Sequence, residues 1–499
     1  MKFDVNTSPS GTVRDWIDHH ASEAGDQKAY LFFEGVAPLT WRDLQFEARA
    51  LAEQLTKQGL KKGESVAILQ PNGRAALISL FGTLYGGFRA TVINLVAGDD
   101  AIGYALEHCE ARFAVVGAEQ LDLFLRVRPD GLEILAETDS EPTVDLHPLT
   151  ATDDALLMYT SGTTGRPKGV VHSHASLLAG GWTPAMAHEL TAQDCGLCVL
   201  PIYHINGLCV TVMSTLITGG RLAVAEKFST SRFWDQCEEA GATWFSVVPT
   251  IISHLLHSDI TPSQATRQRI RFGRSASSAL APDVQTAFET RFEVPIVETM
   301  GLTETAAQIL SNPLPPGIRK IGSPGRAFGN EACILSAELK PLPPGLQGEM
   351  AVRGPNVMRE YFKNPKATEE TFSPDGWLRT GDLGHVDEDG YFFVTGRLKE
   401  LIIKGGENIA PREIDEALYS HPDVIEAAAF ARPCKTYGER VEAAVKLRDG
   451  SGISSEQLIE ICVAKLGFFK SPDTVHLLED LPKGPSGKIQ RIKLPEMTR

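Results

Sequence analysis

The segment TSGTTGRPKGV, residues 160–170, combines three glycines, four hydroxyl side chains, an arginine and a lysine in eleven positions. Glycines let backbone amides approach a ligand closely, and the hydroxyls and Lys168 add hydrogen-bond donors. This set of donors suits the oxygens of a polyphosphate. The segment lacks the GxxxxGK[ST] spacing of a P-loop, so that specific nucleotide motif is absent. A surface turn is the alternative for a Gly/Ser-rich stretch taken alone.

Acidic residues that could complete a nucleotide site lie further along the chain. In GLTET, Thr303 and Glu304 follow a predicted buried strand. The carboxylate could hold Mg²⁺ that bridges phosphates, and the hydroxyl could donate to a phosphoryl oxygen. In LRTGDLG, Asp382 could accept from both hydroxyls of a ribose. The alternatives are an acid at a helix start for Glu304 and a turn former for Asp382.

Two segments near the C-terminus add cations and glycines. GRLKELIIKGGENIAP supplies Arg397 and the pair Gly405 and Gly406, and PKGPSGKIQR presents Lys488 between glycine, proline and serine residues. A solvated tail charge is the alternative interpretation of Lys488. Each of these residues is weak evidence by itself, so their arrangement in the fold matters.

The elements between residues 155 and 300 are predicted to bring these segments together. Apolar runs such as ALLMYT, GATWFSVVPT and VPIVETM alternate with Gly/Ser/Pro breaks and helical stretches. Strands that alternate with helices predict a parallel sheet covered on both faces. Ligands of such sheets lie beyond the carboxyl ends of the strands, where the polar breaks fall. The breaks should therefore converge on one site.

The chain is long enough for two or more domains, and its pattern predicts an α/β architecture. Residues 1–150 show a weaker alternation of the same kind. After about residue 320, short strands with a DEDG turn predict a small antiparallel barrel or sheet. The stretch PREIDEALYSHPDVIEAAAF then begins an α+β pattern, with Ile414 and Leu418 on one helical face and Pro411 in the first turn. This last part is predicted to be a separate domain.

Composition excludes several classes of partner. The 499-residue chain carries a formal net charge of −15, which argues against nucleic acid or an anionic membrane as a partner. No stretch reaches the roughly 18 uncharged apolar residues of a membrane-spanning helix, and no signal peptide is recognisable, so a cytoplasmic location is expected. Eight cysteines are scattered through apolar segments; Cys195 and Cys198 form a CxxC without a second pair, and we interpret them as buried thiols.

Together and in this order, the five polar segments resemble those of the adenylate-forming superfamily of acyl-CoA synthetases, aryl-CoA ligases, luciferases and peptide-synthetase adenylation domains. The resemblance covers nearly the whole chain. It implies a large N-terminal domain of layered, mostly parallel sheets with helices and a small β-barrel, residues 1–398, and a smaller mobile α+β domain, residues 399–499. It also implies two half-reactions. A carboxylate attacks the α-phosphorus of ATP and releases pyrophosphate, and a thiol then captures the acyl-adenylate.

The resemblance also implies roles for individual residues. Thr303 would contact the α-phosphate, Glu304 would bind Mg²⁺, and Lys488 would bridge the carboxylate and the α-phosphate. His204, in LPIYHINGL, resembles the residue that gates the acyl and thiol channel, and Lys399 falls at the hinge. The other implied contacts are Thr160, Ser161, Gly162, Thr163, Thr164 and Lys168 for the β- and γ-phosphates; Ser277, Ser278, Ala279, Met300 and Gly301 for the adenine side; Asp382 and Arg397 for the ribose; and Gly405 and Gly406 for the thiol-side loop.

Within the superfamily, GRSASSALAP and SNPLPPGIRKIGSPG look most like the oxalyl-CoA synthetase branch, which activates very small, doubly anionic acids. Its serines make the floor of the acyl pocket more polar, and Arg274 is either a charge in that pocket or a solvated strand end. Ala307 departs from the branch, which commonly has a histidine there. We therefore expect a small polar or anionic acid, such as oxalate, malonate or sulfoacetate, rather than a fatty acid.

The thiol acceptor is expected to be coenzyme A. No carrier domain is attached, and KGGENIAP resembles the CoA-ligase form of that loop. An enzyme that loads a carrier protein would share every ATP motif, so this alternative stays open. A nucleotide-binding module without chemistry would lack Glu304 or Lys488. Met300 stands where the family usually has an aromatic residue against adenine, although methionine can also pack on a purine face. A homodimer is left open.

Overall fold

The computed structural model describes residues 3–4, 6–135, 144–160, 166–484 and 489–498. Over these ranges the chain forms four sheets with helices packed around them. Within the same ranges, no helix combines the length and the apolar character that a bilayer crossing requires.

The strands are β1 (Lys28–Leu31), β2 (Leu39–Thr40), β3 (Ser65–Leu69), β4 (Arg89–Val92), β5 (Phe113–Val116), β6 (Glu133–Ile134), β7 (Asp154–Thr160), β8 (Lys168–Ser173), β9 (Cys195–Cys198), β10 (Arg221–Val224), β11 (Trp244–Val247), β12 (Phe272–Ser275), β13 (Ile296–Leu302), β14 (Ala307–Ser311), β15 (Arg326–Ala327), β16 (Glu331–Leu335), β17 (Gly348–Arg353), β18 (Glu360–Tyr361), β19 (Leu378–Val386), β20 (Phe392–Arg397), β21 (Ile402–Lys404), β22 (Glu407–Ile409), β23 (Val424–Cys434), β24 (Gly438–Leu447) and β25 (Thr474–Leu477).

The α-helices are α1 (Val13–Ala24), α2 (Trp41–Lys57), α3 (Arg74–Gly86), α4 (Asp99–His108), α5 (Leu121–Val127), α6 (His174–Ala187), α7 (Ser214–Thr218), α8 (Phe233–Ala240), α9 (Pro249–Leu256), α10 (Gln264–Arg269), α11 (Pro282–Phe292), α12 (Pro365–Thr371), α13 (Pro411–Tyr419), α14 (Ser455–Leu466) and α15 (Leu494–Met497). A π-helix covers Asn206–Met213, and 3₁₀ turns cover Ala118–Gln120, Thr303–Thr305 and Arg491–Lys493.

The largest sheet has nine strands in the order β15-β14-β13-β12-β11-β9-β10-β1-β2. The run from β13 to β1 is parallel, and antiparallel strands complete both edges. Parallel neighbours align their carboxyl ends, so the chain leaves β9, β12 and β13 at the same edge of the sheet. The predicted convergence of the polar breaks after these strands is therefore confirmed.

The second sheet has seven strands in the order β18-β8-β7-β4-β3-β5-β6, and the run from β7 to β6 is parallel. The alternating pattern predicted a parallel arrangement throughout, but β7 and β8 are antiparallel, with Thr160 opposite Lys168. The physical reason is the length of the connection. A parallel pair needs a crossover of about a dozen residues or more, and the segment between these strands is shorter.

Helices α1, α2, α3 and α6 and the π-helix join the two large sheets in one apolar core. Trp41, Phe81 and Leu208 are completely buried there. Burial of each large apolar side chain stabilises the fold by roughly 1.5–3 kcal/mol. Helices α1 and α6 begin at Thr12 and Ser173, whose hydroxyls accept from backbone N–H groups of the first turn. This core fixes the sheet edge where the polar segments meet.

The third sheet is antiparallel, in the order β16-β17-β19-β20, and the predicted DEDG turn joins β19 to β20. The fourth contains β22-β21-β24-β23 and β25, and α13 and α14 contribute to its core. Ile414 and Leu418 are buried and Pro411 begins α13, as predicted. The predicted α/β class with a smaller α+β part is confirmed. The division at residues 398 and 399 stays a prediction.

The chain reverses after β13. The sequence pattern predicted a helical stretch from GLTET, but a short 3₁₀ turn leads into β14, which runs antiparallel to β13. Ala306 and Ala307 have φ of 45° and 89°, the left-handed conformations that turn the chain. A Cβ on Gly301 would lie 1.8 Å from the carbonyl oxygen of Ala307, so this close approach requires glycine.

Candidate active site

The polar segments line two adjoining cavities at the carboxyl edge of the largest sheet. The larger cavity has a volume of about 940 Å³ and reaches from Lys168 to His204 and Glu304. The smaller, of about 210 Å³, lies beside Asp382. Ser277, Gly301 and Arg397 border both cavities, which therefore form one continuous cleft.

Glu304 is fixed in the turn after β13 by contacts from three other segments. Its backbone carbonyl accepts from Met358 N at 2.7 Å, and its Oε1 accepts from the Tyr361 hydroxyl at 2.7 Å. His172 Nε2 lies 2.7 Å from the carbonyl oxygen of Thr303. Burial lowers the pKa of His172 to about 4, so the imidazole is neutral near pH 7 and donates through Nε2. The turn is thereby held from both sides.

Tyr361 connects Glu304 to Lys168. The Lys168 Nζ lies 4.3 Å from the centroid of the Tyr361 ring, within cation–π distance. Burial and the Glu304 carboxylate raise the pKa of Tyr361, so its hydroxyl remains a donor. The sequence analysis missed this residue. In the sequence it appears only as an aromatic in REYFKNP, and the pairing of β18 with β8 brings it beside Lys168.

Asp382 and Arg397 form a cross-strand pair between β19 and β20. Arg397 Nε donates to Asp382 Oδ1 at 2.7 Å, and the Asp382 side chain is 9% exposed. The neighbouring carboxylate raises the pKa of Arg397. Thr380 Oγ1 accepts from Asp382 N at 3.1 Å and fixes the start of the pair. The pair presents a carboxylate and a guanidinium to the cleft.

His204 lies between β9 and the π-helix and borders the larger cavity. Its Nε2 is buried and has no hydrogen-bond partner among the described residues. Burial lowers the pKa of His204 to about 4. A neutral imidazole with an unpartnered nitrogen therefore lies at the border of the larger cavity.

Arg274 lies in the floor of the larger cavity and is not a solvated strand end. The residue is 1% exposed. It borders the cavity together with Asn206, Ala276 and Ala307. The floor thus combines a buried cation with an amide and two methyl groups.

The structure brings most of the predicted residues to the cleft. The larger cavity is lined by Thr160, Lys168, His204, Ser277, Gly301, Thr303, Glu304, Arg397 and Lys399. The smaller is lined by Ser277, Ser278, Ala279, Met300, Gly301, Asp382 and Arg397. Gly405 and Gly406 line neither cavity and lie exposed at the turn between β21 and β22.

Five predicted residues lie outside the described ranges: Ser161, Gly162, Thr163 and Thr164 of the glycine-rich segment, and Lys488. The residues on either side of Lys488 that are described do reach the cleft. Lys483 and Gln490 line the larger cavity, and Ile489 and Arg491 line the smaller one.

The donor set at Glu304 fits a magnesium ion carried by a triphosphate. Mg²⁺ binds hard oxygen ligands and often takes one or two carboxylates together with substrate phosphates and water. Glu304 supplies a carboxylate whose only described hydrogen-bond donor is Tyr361. Within the described ranges, no group of three His, Cys, Asp or Glu side chains could hold a metal alone. Glu304 would therefore hold the ion together with oxygens of the nucleotide.

Comparison with known families identifies the class of protein. The model of the AMP-binding enzyme family matches residues 17–362, and that of the AMP-binding enzyme C-terminal domain matches residues 413–488. The chain belongs to the AMP-binding enzyme family.

Individual relatives match along almost the whole chain. A sulfoacetate–CoA ligase of Cupriavidus necator is 43% identical over 497 residues, which cover 97% of each chain. An oxalate–CoA ligase of Arabidopsis thaliana is 33% identical over 506 residues, which cover 97% of this chain and 98% of the relative. Among solved structures, ATP-bound MatB from Rhodopseudomonas palustris superposes with a TM-score of 0.88 at 29% identity, covering 98% of this chain and 99% of that one. The predicted superfamily and enzyme class, an AMP-forming acyl-CoA synthetase, are confirmed.

Proposed function

We propose that this enzyme activates a short carboxylic acid that carries a polar or anionic substituent. It forms the acyl-adenylate from ATP with Mg²⁺, transfers the acyl group to coenzyme A, and releases AMP and pyrophosphate. The observation that carries the proposal is the continuous cleft on which Lys168, Thr303, Glu304, Asp382 and Arg397 converge. Relatives named for sulfoacetate and oxalate support the class of acid, and a related structure with ATP and magnesium ion supports the cofactors.

The nucleotide would span both cavities. Asp382 and Arg397 bind the ribose, and Met300 packs on the adenine beside Ser277, Ser278 and Ala279. Lys168, with Thr160, Ser161, Gly162, Thr163 and Thr164, binds the β- and γ-phosphates. Glu304 holds Mg²⁺, which neutralises phosphate charge when bound. Support comes from the geometry, because Lys168 contacts the ring, and Glu304 the hydroxyl, of the same tyrosine.

In the first step, a carboxylate oxygen of the acid attacks the α-phosphorus, and the bond from that phosphorus to the bridging oxygen of pyrophosphate breaks. Two anions must approach each other, so fixed positive charge at this point lowers the barrier. Lys168 and Thr303 lie where they can contact phosphoryl oxygens. We assign Lys488 to the carboxylate and the α-phosphate, and the positions of Lys483 and Gln490 at the larger cavity support this assignment.

In the second step, the thiol of coenzyme A loses its proton to solvent and its sulfur attacks the carbonyl carbon of the acyl-adenylate. AMP leaves with the electron pair of the broken carbon–oxygen bond. His204 borders the acyl part of the cleft in its neutral form. The part of the chain after Lys399 would rotate as a separate domain, withdrawing Lys488 and bringing Gly405 and Gly406 toward the thiol. The exposure of both glycines agrees with a role outside the first step.

A substrate panel tests the function. The purified enzyme is incubated with ATP, Mg²⁺ and coenzyme A, together with sulfoacetate, oxalate, malonate, acetate, octanoate or cinnamate. We expect release of AMP and formation of the thioester, with the highest kcat/KM for the short acids that carry a second polar group. Highest activity with octanoate or cinnamate would contradict the proposal. Pyrophosphate exchange without thioester formation would instead favour a carrier-protein acceptor.

A cytoplasmic location and a homodimer belong to the same proposal. Fractionation of the source cells and sedimentation velocity of the purified chain test them separately. A membrane-associated pool or a monomer at micromolar concentration would contradict the respective statement.

A further inference from the structure

Arg274, on β12, is a buried cation without a carboxylate partner in the described part of the chain. Its Nη1 donates to Asn206 Oδ1 at 2.7 Å and to Ser246 Oγ at 3.2 Å. Its Nε donates to Gln308 Oε1 at 3.3 Å. All three acceptors are neutral. Burial lowers the pKa of Arg274 to about 9, so the guanidinium remains protonated near pH 7.

A neutral frame orients this guanidinium without compensating its charge. Ser246 lies opposite Arg274 in the β11–β12 register. Asn206 Nδ2 donates to Ser277 Oγ at 3.3 Å, and Gln308 Nε2 donates to the carbonyl oxygen of Thr183 at 3.4 Å. A buried charge is costly unless an opposite charge approaches it. The positive charge of Arg274 is therefore not neutralised by any protein group in the described part of the chain.

The guanidinium also has an unused donor at the cavity. Its Nη2 donates to no described residue, and Arg274 borders the same cavity as Thr303 and Glu304. A guanidinium binds carboxylates and similar oxyanions through parallel hydrogen bonds. His204, whose buried Nε2 has no hydrogen-bond partner among the described residues, also borders this cavity. Ala307 contributes only a methyl group, so an anion has room at the floor.

We infer that Arg274 binds a second anionic group of the substrate, at the end opposite the carboxylate that is activated. This inference rests on the proposed function and narrows its substrate class. The acid carries a sulfonate or a second carboxylate in addition to the reacting carboxylate. A neutral substituent of the same size would leave the guanidinium buried and unpaired, so the site selects charge rather than polarity.

Pairs of substrates that differ in charge and not in size test this inference with the wild-type enzyme. Sulfoacetate is compared with methylsulfonylacetate, and malonate with malonamate, in the CoA-dependent release of AMP. We expect kcat/KM to favour the dianion in at least one pair by about 30-fold or more, as for loss of one partner of a buried charge pair. The pair with the larger ratio identifies the anion as a sulfonate or a carboxylate. Equal kcat/KM in both pairs would overturn the inference.

Variants of Arg274 locate the selectivity. Arg274→Gln and Arg274→Met should lose most of the preference for the dianion, while kcat for the neutral isostere and the KM for ATP change little. Arg274→Lys keeps the charge and should keep part of the preference. The matched control is Arg271→Gln, because Arg271 lies three positions earlier, pairs with Asp194 at 2.7 Å and lines neither cavity. An equal loss for dianion and neutral isostere in Arg274→Gln and Arg274→Lys would show that Arg274 only supports the fold.

The outcomes separate this inference from the proposed function. If the wild-type enzyme forms thioesters from short neutral acids as readily as from dianions, the proposed function stands and the role of Arg274 is wrong. If it forms no thioester from any short acid of the panel, the proposed function itself is wrong. The wild-type comparison does not depend on whether any variant folds.

Discussion

At the scale of single residues, the cleft has two kinds of polar side chain. Asp382 and Arg397 satisfy each other across two strands. Glu304 and Lys168 both contact Tyr361: Glu304 accepts a hydrogen bond from its hydroxyl, and the Lys168 ammonium lies against its ring. The first arrangement is preformed, whereas the second presents charges that a metal–phosphate group can bridge.

Replacement of Glu304 by Gln keeps the size of the side chain and removes its charge. We expect the rate of adenylation to fall by about 10²–10³, the range seen when one electrostatic contact to a transition state is removed. Pyrophosphate exchange measured across a Mg²⁺ titration checks this, with Glu331→Gln, at an exposed ion pair, as the control. Full exchange activity at low Mg²⁺ would show that Glu304 does not hold the ion.

Tyr361→Phe removes the hydrogen bond to Glu304 and keeps the ring beside Lys168. One hydrogen bond contributes about 0.5–1.5 kcal/mol, so we expect adenylation to slow by about 2- to 13-fold and the apparent affinity for Mg²⁺ to fall. Tyr361→Leu also removes the ring and should slow the reaction further and raise the KM for ATP. Identical kinetics of the two variants would contradict a role for the ring.

At the scale of elements, the strands that end at the cleft could be predicted because each apolar run stops at a polar break. Glu304 was found in this way, whereas Asp382 lies inside β19 and was found from the stretch LRTGDLG. Tyr361 could not be found, since the distant pairing of β18 with β8 places it. The burial of Arg274 is also invisible in the sequence, because a charged residue near a strand end is usually solvated. The reversal after β13 depends on two alanines with positive φ. Alanine rarely adopts this conformation, so the sequence does not predict the reversal.

His172, on β8, couples the pH dependence of stability to the turn at Thr303. Burial lowers its pKa to about 4, whereas a histidine in the unfolded chain has a pKa of about 6.5. As the pH falls through this window, the unfolded chain binds a proton that the folded chain does not, so the free energy of unfolding decreases. His172→Gln can still donate to the Thr303 carbonyl and cannot titrate. Urea unfolding should therefore show the variant gaining stability relative to wild type between pH 6.5 and 4. Parallel curves over this window would contradict the prediction.

At the scale of the whole molecule, polar contacts connect the C-terminal sheet to the rest. Ser253 Oγ donates to the carbonyl oxygen of Ile425 at 2.7 Å, His254 Nε2 lies 3.0 Å from Glu426 Oε1, and Arg412 Nη1 donates to the carbonyl oxygen of Val394 at 2.6 Å. Water can replace contacts of this kind at low cost. Polar contacts of this kind are therefore compatible with the proposed rotation of the C-terminal part between adenylation and thioester formation.

Lys488→Ala separates the two steps. We expect pyrophosphate exchange to fall by orders of magnitude, because the cation that offsets repulsion between carboxylate and phosphate is lost. Transfer of the acyl group from a supplied acyl-adenylate to coenzyme A should stay near the wild-type rate. Lys465→Ala, at the exposed end of α14 and outside both cavities, is a matched control for charge. An equal loss in both steps, or in neither, would refute the assignment.

Helix α13 and the segment after the C-terminal sheet form one wall of the smaller cavity, through Arg412, Asp415, Tyr419, Ile489 and Arg491. A nucleotide in that cavity is enclosed on this side until the wall moves. Its residence time is then governed by the frequency of opening as well as by its own contacts. A non-hydrolysable mimic of the acyl-adenylate should accordingly dissociate far more slowly than ATP, even where the two have similar equilibrium affinities.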